Sequence, residues 1–198
     1  MPITYTNRKR VTYYLCQGRT KTGKVRYYFA REPQSVPVNK IPEGYTIRES
    51  VNGIVSLAKI QPALLLEEEL RTVQAALQAH PDARHYRVDA KADQITVYEH
   101  VGPDLADLTA QFAAELGLPD TLIPTAVQRM QERESDSGQF TPIMRFILTD
   151  KEARLFKAQR MRFSGTEHWI NIGYNKPLRE LAAALIPALG TDEFFELF

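Results

Sequence analysis

The sequence predicts an α+β protein: an antiparallel N-terminal β-sheet followed by helices packed on a second antiparallel sheet. Three observations carry that prediction. Residues 11–31 alternate apolar and polar side chains across a basic, glycine-punctuated turn, the period of a half-buried hairpin. Leu66, Leu70, Val73 and Leu77 recur at helical spacing. Strand-like alternation then returns between Ile143 and Ile172, before Leu178, Leu181 and Leu185 mark a further helix.

In the first hairpin, Val11, Tyr13 and Leu15 alternate with Thr12, Tyr14 and Cys16. On the return, Val25, Tyr27 and Phe29 alternate with Arg26, Tyr28 and Ala30. One face is apolar enough to be core. The other is expected to carry Tyr14, Arg26 and Tyr28 to solvent, beside a turn holding Arg19, Lys21 and Lys24. Pro33, Pro37, Pro42 and Gly44 then forbid a helix and predict a loop. A second hairpin is expected over Tyr45–Ser50 and Ile54–Lys59, turned by Asn52-Gly53 in type I′ geometry. The first 60 residues thus read as a sheet of about four strands.

From Ile60 the texture changes, and a domain boundary is placed there: a basic hairpin-rich domain over 1–60 and an α+β domain over 61–198, unless the two are layers of one domain. Pro62 opens the first helix, Glu67–Glu69 suit its positive N-terminal end, and His80-Pro81 stops it. Strands are predicted over Tyr86–Ala90 and Gln94–Tyr98. Leu105, Leu108 and Phe112 then line a helix stopping at Gly117, and Asp120 caps another that runs to about Glu132 with Ile123, Val127 and Met130 inward. Residues 133–139 are wholly polar and read as a loop. A three-stranded meander follows over Ile143–Thr149, Ala153–Phe163 and His168–Ile172, and then the last helix and a short DEFFELF turn.

Charge is nearly balanced at +1 but unevenly spread. Residues 1–60 hold 11 Lys/Arg and 3 Asp/Glu, whereas residues 61–136 hold 6 and 14. Such asymmetry points to a polyanion-facing end, or to two parts that attract each other; the alternative is ordinary solubilising surface. A single cysteine, Cys16, excludes an internal disulfide. No apolar stretch has signal-peptide or membrane-spanning length, so a cytoplasmic protein with no membrane partner is expected. No repeat or low-complexity tract is present.

Gly18-Arg-Thr-Lys-Thr-Gly23-Lys24 matches the first part of a phosphate-binding loop, but Val25 stands where a Ser/Thr is needed and a strand follows instead of a helix. It reads as a hairpin turn. Pro81-Asp82 with Asp89-Ala90-Lys91 resembles the two carboxylates and lysine of a metal-dependent nuclease, at a spacing short for that chemistry. His80, His85 and His100 show no closed ligand set, and no metal or other cofactor is expected. No nucleophile elbow is present, so no reaction is named. Arg154, Phe156, Arg160 and Arg162 fall on one side of the long meander strand if it stays regular, a second basic face with an aromatic in it. Phe194, Phe195, Leu197 and Phe198 end the chain in an apolar cluster that either docks on its own core or hooks a protein partner.

The opening YYLCQGRTKTGKVRYYFAR followed by IPEGY, together with the closing GTDEFFELF, resembles a group of bacterial proteins with no assigned function. That resemblance implies a bacterial, free-standing protein and transfers no catalytic residue. The expected function is non-enzymatic nucleic-acid binding, to DNA or RNA. Arg19, Lys21, Lys24 and Arg26, with Arg160 and Arg162, would contact phosphates, while Tyr14 and Tyr28 stack on bases. The alternative is a protein-interaction module or a subunit of a larger complex.

Overall fold

The computed structural model describes residues 1–33, 36–102, 138–163 and 167–196, with residues 108, 109, 111, 112, 115, 124, 125, 127 and 128 between them. Two antiparallel sheet systems and a few helices make an α+β architecture. The chain forms two compact units, Met1–Ile60 with Gly102–Gln139 and Gln61–Val101 with Phe140–Phe198. The stretch 61–198, expected as one piece, is therefore interrupted after Val101 and resumes at Phe140. The two helices and polar loop expected between residues 105 and 139 fall largely outside the described residues.

In the first unit, β1 (Thr4–Thr6), β2 (Thr12–Arg19), β3 (Val25–Ala30) and β4 (Val36–Pro37) form one sheet. β3 pairs along one edge of β2, and β1 and β4 share the other. Pro37, which has no N–H to give, is tolerated because β4 is a two-residue edge piece. At the junction Leu15 N donates to Ile3 O, Ile3 N to Val38 O and Val38 N to Leu15 O, at 2.9, 2.9 and 3.0 Å. β5 (Tyr45–Glu49) and β6 (Val55–Lys59) make a separate two-stranded sheet, so the expected four strands are divided differently.

Three turns of this unit share one construction, over Asn7–Val11, Thr20–Lys24 and Ser50–Ile54. In each, the first residue's N–H donates to the last residue's carbonyl, and the fourth residue's N–H closes back on the first residue's carbonyl. The fourth residue is left-handed: Arg10 at φ 58°, Gly23 at 80° and Gly53 at 75°. The first side chain completes the loop by accepting from the last N–H: Asn7 Oδ1 from Val11, Thr20 Oγ1 from Lys24 and Ser50 Oγ from Ile54, at 2.9, 3.1 and 3.1 Å. This corrects the type I′ expectation at Asn52-Gly53, because that turn needs positive φ at both residues and Asn52 has none.

The second unit is a five-stranded sheet in the order β11-β10-β9-β8-β7, built from β7 (Tyr86–Lys91), β8 (Gln94–Val101), β9 (Gln139–Asp150), β10 (Leu155–Phe163) and β11 (Glu167–Pro177). Leu148 N donates to Asp93 O at 2.9 Å, joining the start of β8 to the end of β9 and making that pair antiparallel like the rest. Helices α1 (Glu67–Gln78) and α2 (Leu178–Leu185) cover one face. Their Val73, Leu77, Leu181 and Leu185 share a core with Ile95, Val97, Met144, Phe146 and Phe156. Gly173 on β11 lets α2 lie close, since a Cβ there would stand 2.7 Å from Leu181 Cδ2. A short helix, α3 (Asp192–Glu196), adds Phe194 to the same core.

Candidate nucleic-acid interface

Direct cross-strand partners share a face of a sheet, so the register of β2 and β3 sorts the hairpin's side chains. Tyr14 pairs with Ala30, Cys16 with Tyr28 and Gly18 with Arg26; Leu15 pairs with Phe29, Gln17 with Tyr27 and Arg19 with Val25. Arg26 and Tyr28 therefore share one face, whereas Arg19 stands on the other. The guanidinium carbon of Arg26 lies 4.9 Å from the centroid of the Tyr28 ring. Gly18 makes room for that ring, since a Cβ there would come to 3.2 Å from Tyr28 Cε1.

The tyrosine face is not open along its length. Leu15 and Cys16 are both fully buried, so the middle of β2 is covered on both sides. The thiol of Cys16 points inward and donates to Tyr14 O at 3.6 Å. Tyr14 is half-buried and pairs with Thr4 and Ala30, roughly 13 Å along the strand from Gly18 at 3.3 Å per residue. Tyr14 and Tyr28 thus share one face and are both half-buried, with the Tyr28–Arg26 end nearer the tip.

At the tip, Arg19, Lys21, Lys24 and Arg26 are all exposed. Among the described residues none of them has an ion-pair partner. The turn between them is fixed by the bonds to Thr20 and by Thr20 Oγ1 against Thr22 Oγ1 at 2.9 Å. Arg8, by contrast, is committed to Glu49 at 2.8 Å. Counted over the whole first unit there are 13 Lys/Arg and 10 Asp/Glu, so the basic character is a local property of the hairpin.

The second basic face is not assembled. Against β9, β10 keeps its alternation, with Phe156, Ala158 and Arg160 opposite Leu148, Phe146 and Met144, so the side expected to carry the arginines is the core side of the sheet. Arg160 lies opposite Met144 and Ile170 and is only 5% exposed, which removes it from any phosphate-contacting surface. Phe156 is fully buried in the core. Arg154 precedes the strand at φ 52° and reaches Glu69 and Leu64 instead. Arg162 is exposed.

The other chemistry-bearing residues have local roles. His80 is buried, with Nδ1 accepting from Asp82 N–H at 3.0 Å and Nε2 facing Leu189 O at 3.2 Å, which fixes the Nε2-protonated tautomer. His85 receives Arg84 Nε, and His100 packs edge-on to Phe140 at 5.5 Å. Asp82 stands at the start of a 3-10 turn before β7 with no capping bond from its side chain, while Asp89 and Lys91 lie on one face of β7. Among the described residues no group of three His, Cys, Asp or Glu is placed to hold a metal ion. Phe194 is 2% exposed and Phe195 is 59% exposed; residues 197 and 198, the rest of the proposed hook, lie outside the described residues.

One polar constellation has no signal in the sequence. Arg145, Gln159 and Asn171 stand side by side on β9, β10 and β11. Arg145 Nε donates to Gln159 Oε1 and Gln159 Nε2 donates to Asn171 Oδ1, both at 2.7 Å. The guanidinium stacks on the Trp169 ring, 4.0 Å from its centroid. Only the register of three strands reveals this row.

Among the described residues no helix is long and apolar enough to cross a membrane. No protein-family model, curated protein or solved structure matches this chain.

Proposed function

We propose that the protein binds nucleic acid non-enzymatically, using the β2–β3 hairpin as a ribbon that enters the major groove of duplex DNA. The observation carrying this reading is that Arg19 and Arg26 flank the ribbon on opposite faces while Lys21 and Lys24 occupy its tip. Cations on both sides of a narrow element match the two phosphate strands that border a groove. A two-stranded ribbon fits the major groove of B-form DNA, about 12 Å wide, but not the deep, narrow one of A-form RNA. The Arg26 guanidinium already occupies a face of the Tyr28 ring, which favours a rigid cationic wedge over base stacking.

The test is a salt series of duplex DNA titrations on the parent and on Lys21→Glu/Lys24→Glu/Arg26→Glu, with single-stranded DNA and duplex RNA as comparators. The parent is expected to bind duplex DNA with a log-log salt slope of about −3 or steeper, from about 0.9 per phosphate neutralised. The triple variant should lose that binding. Salt-independent or absent binding by the parent, or an unaltered variant, overturns the reading.

A further inference from the structure

The row on β9, β10 and β11 holds the Arg145 guanidinium in one orientation. Arg145 alternates with the core residues Met144 and Phe146, so it stands on the sheet face away from α1 and α2. Its Nε is engaged by Gln159, a side chain that is only 8% exposed and is itself held by Asn171. Trp169 covers one face of the guanidinium. Together these fix the plane and direction of the fork. The Nη1 and Nη2 edge has no partner among the described residues. Lys157, two residues before Gln159 on the same face, adds a second cation.

We propose that this face of the second unit carries an oxyanion site, in which the Nη edge of Arg145 takes two oxygens of a carboxylate or phosphoryl group. A guanidinium fork matches either group bidentately, and immobilising it beforehand removes most of the ordering cost of binding. Burial also pulls the Arg145 pKa down from its ordinary value. That is the direction expected of a partly desolvated cation without a counter-charge, and a bound anion would reverse it. The site is independent of the hairpin reading, because every residue in it belongs to the second unit.

Trp169 is the single tryptophan of the chain, so its emission reports on the stacked guanidinium. The protein is titrated with sodium phosphate, with sodium acetate, and with sodium chloride at matched ionic strength. A saturable change with phosphate, acetate or both, and none with chloride, is expected; which salt acts identifies the group. Arg145→Gln should abolish the response. Gln159→Glu, nearly isosteric, places a carboxylate against the guanidinium and should weaken the response by about tenfold or more while near-UV circular dichroism stays that of the parent. Lys21→Glu/Lys24→Glu/Arg26→Glu should respond like the parent. No response beyond chloride, or equal responses from the parent and the two site variants, overturns the proposal.

Discussion

The buried amide of Asn7 donates through Nδ2 to Gly53 O, 46 residues on, at 2.7 Å, joining two turns of the same construction. The same side chain accepts from Val11 N–H through Oδ1, so one residue closes its own turn and anchors another. Replacing Asn7 by Ala removes the partner of the buried Gly53 carbonyl and of the part-buried Val11 N–H, and is expected to cost about 1–3 kcal/mol. Asn7→Asp keeps the acceptor and loses the donor, so it should cost less at acid pH, where the carboxyl is protonated. Urea unfolding of both variants measures the two values.

Arg10 holds the left-handed position that Gly23 and Gly53 occupy in the sister turns. A side chain there carries a steric penalty of about 1 kcal/mol that glycine avoids. Arg10→Gly is therefore expected to leave the turn intact and to stabilise the protein by up to about 1 kcal/mol, read as a rise in the urea midpoint. A loss of stability would show that the Arg10 side chain contributes more than its backbone costs.

Glu49 accepts from the Tyr5 hydroxyl and from the backbone and side chain of Arg8, at 3.0, 3.0 and 2.8 Å. Burial pushes its carboxyl up, but the bonds from Arg8 and Tyr5 outweigh that and leave its pKa below the ordinary value. A carboxylate depressed on folding adds stability above its unfolded pKa, about 4.3, and loses it as pH falls through the folded value. Glu49→Gln should thus destabilise the protein by about 1–2 kcal/mol near neutrality and converge with the parent in acid. Melts of both proteins between roughly pH 7 and pH 3 provide the comparison.

Arg154 grips Glu69 across 85 residues with Nε at 2.9 Å and with Nη2, and adds Leu64 O at 3.2 Å. Glu69 in turn accepts from Leu66 N–H at 2.8 Å and so closes the first turn of α1. Arg154→Ala strands a buried carboxylate while keeping the left-handed backbone, at an expected cost of about 3–4 kcal/mol. Arg154→Gly should be milder than Ala by about 1 kcal/mol, because glycine accepts φ 52° freely. Equal losses would mean that the turn has relaxed.

Gly18 allows the charge and the geometry of the hairpin to be separated. Gly18→Ala pushes on the Tyr28 ring and displaces the Arg26 stack without altering any charge. Duplex DNA affinity is expected to fall by about three- to tenfold with the salt slope nearly unchanged. Equal affinity of the parent and the variant would show that the Arg26–Tyr28 stack is not needed for binding.

Much of this fold is written in periodicity. The β2–β3 hairpin, the β7–β8 hairpin, the β9–β11 strands and the Leu178–Leu185 helix fall where alternation or helical spacing puts them. What periodicity does not carry is register. Arg160 keeps the alternation of Phe156 and Ala158, and alternation read from one segment does not say which of its two sides the helices cover. Likewise β4, a two-residue edge piece containing a proline, pairs with Cys16 and Gln17 yet leaves no strand pattern. The Arg145–Gln159–Asn171 row needs three strands aligned before it exists.

Strands β8 and β9 are antiparallel neighbours, so Val101 and Phe140 end up where an ordinary tight turn would suffice to connect them. The chain instead departs to the first unit for residues 102–139 and crosses between units three times: after Ile60, after Val101 and after Gln139. Tandem domains on a string part when one link is cut. Here a protease that nicks any single crossing leaves two covalent ties intact, and release of either body requires all three to be severed.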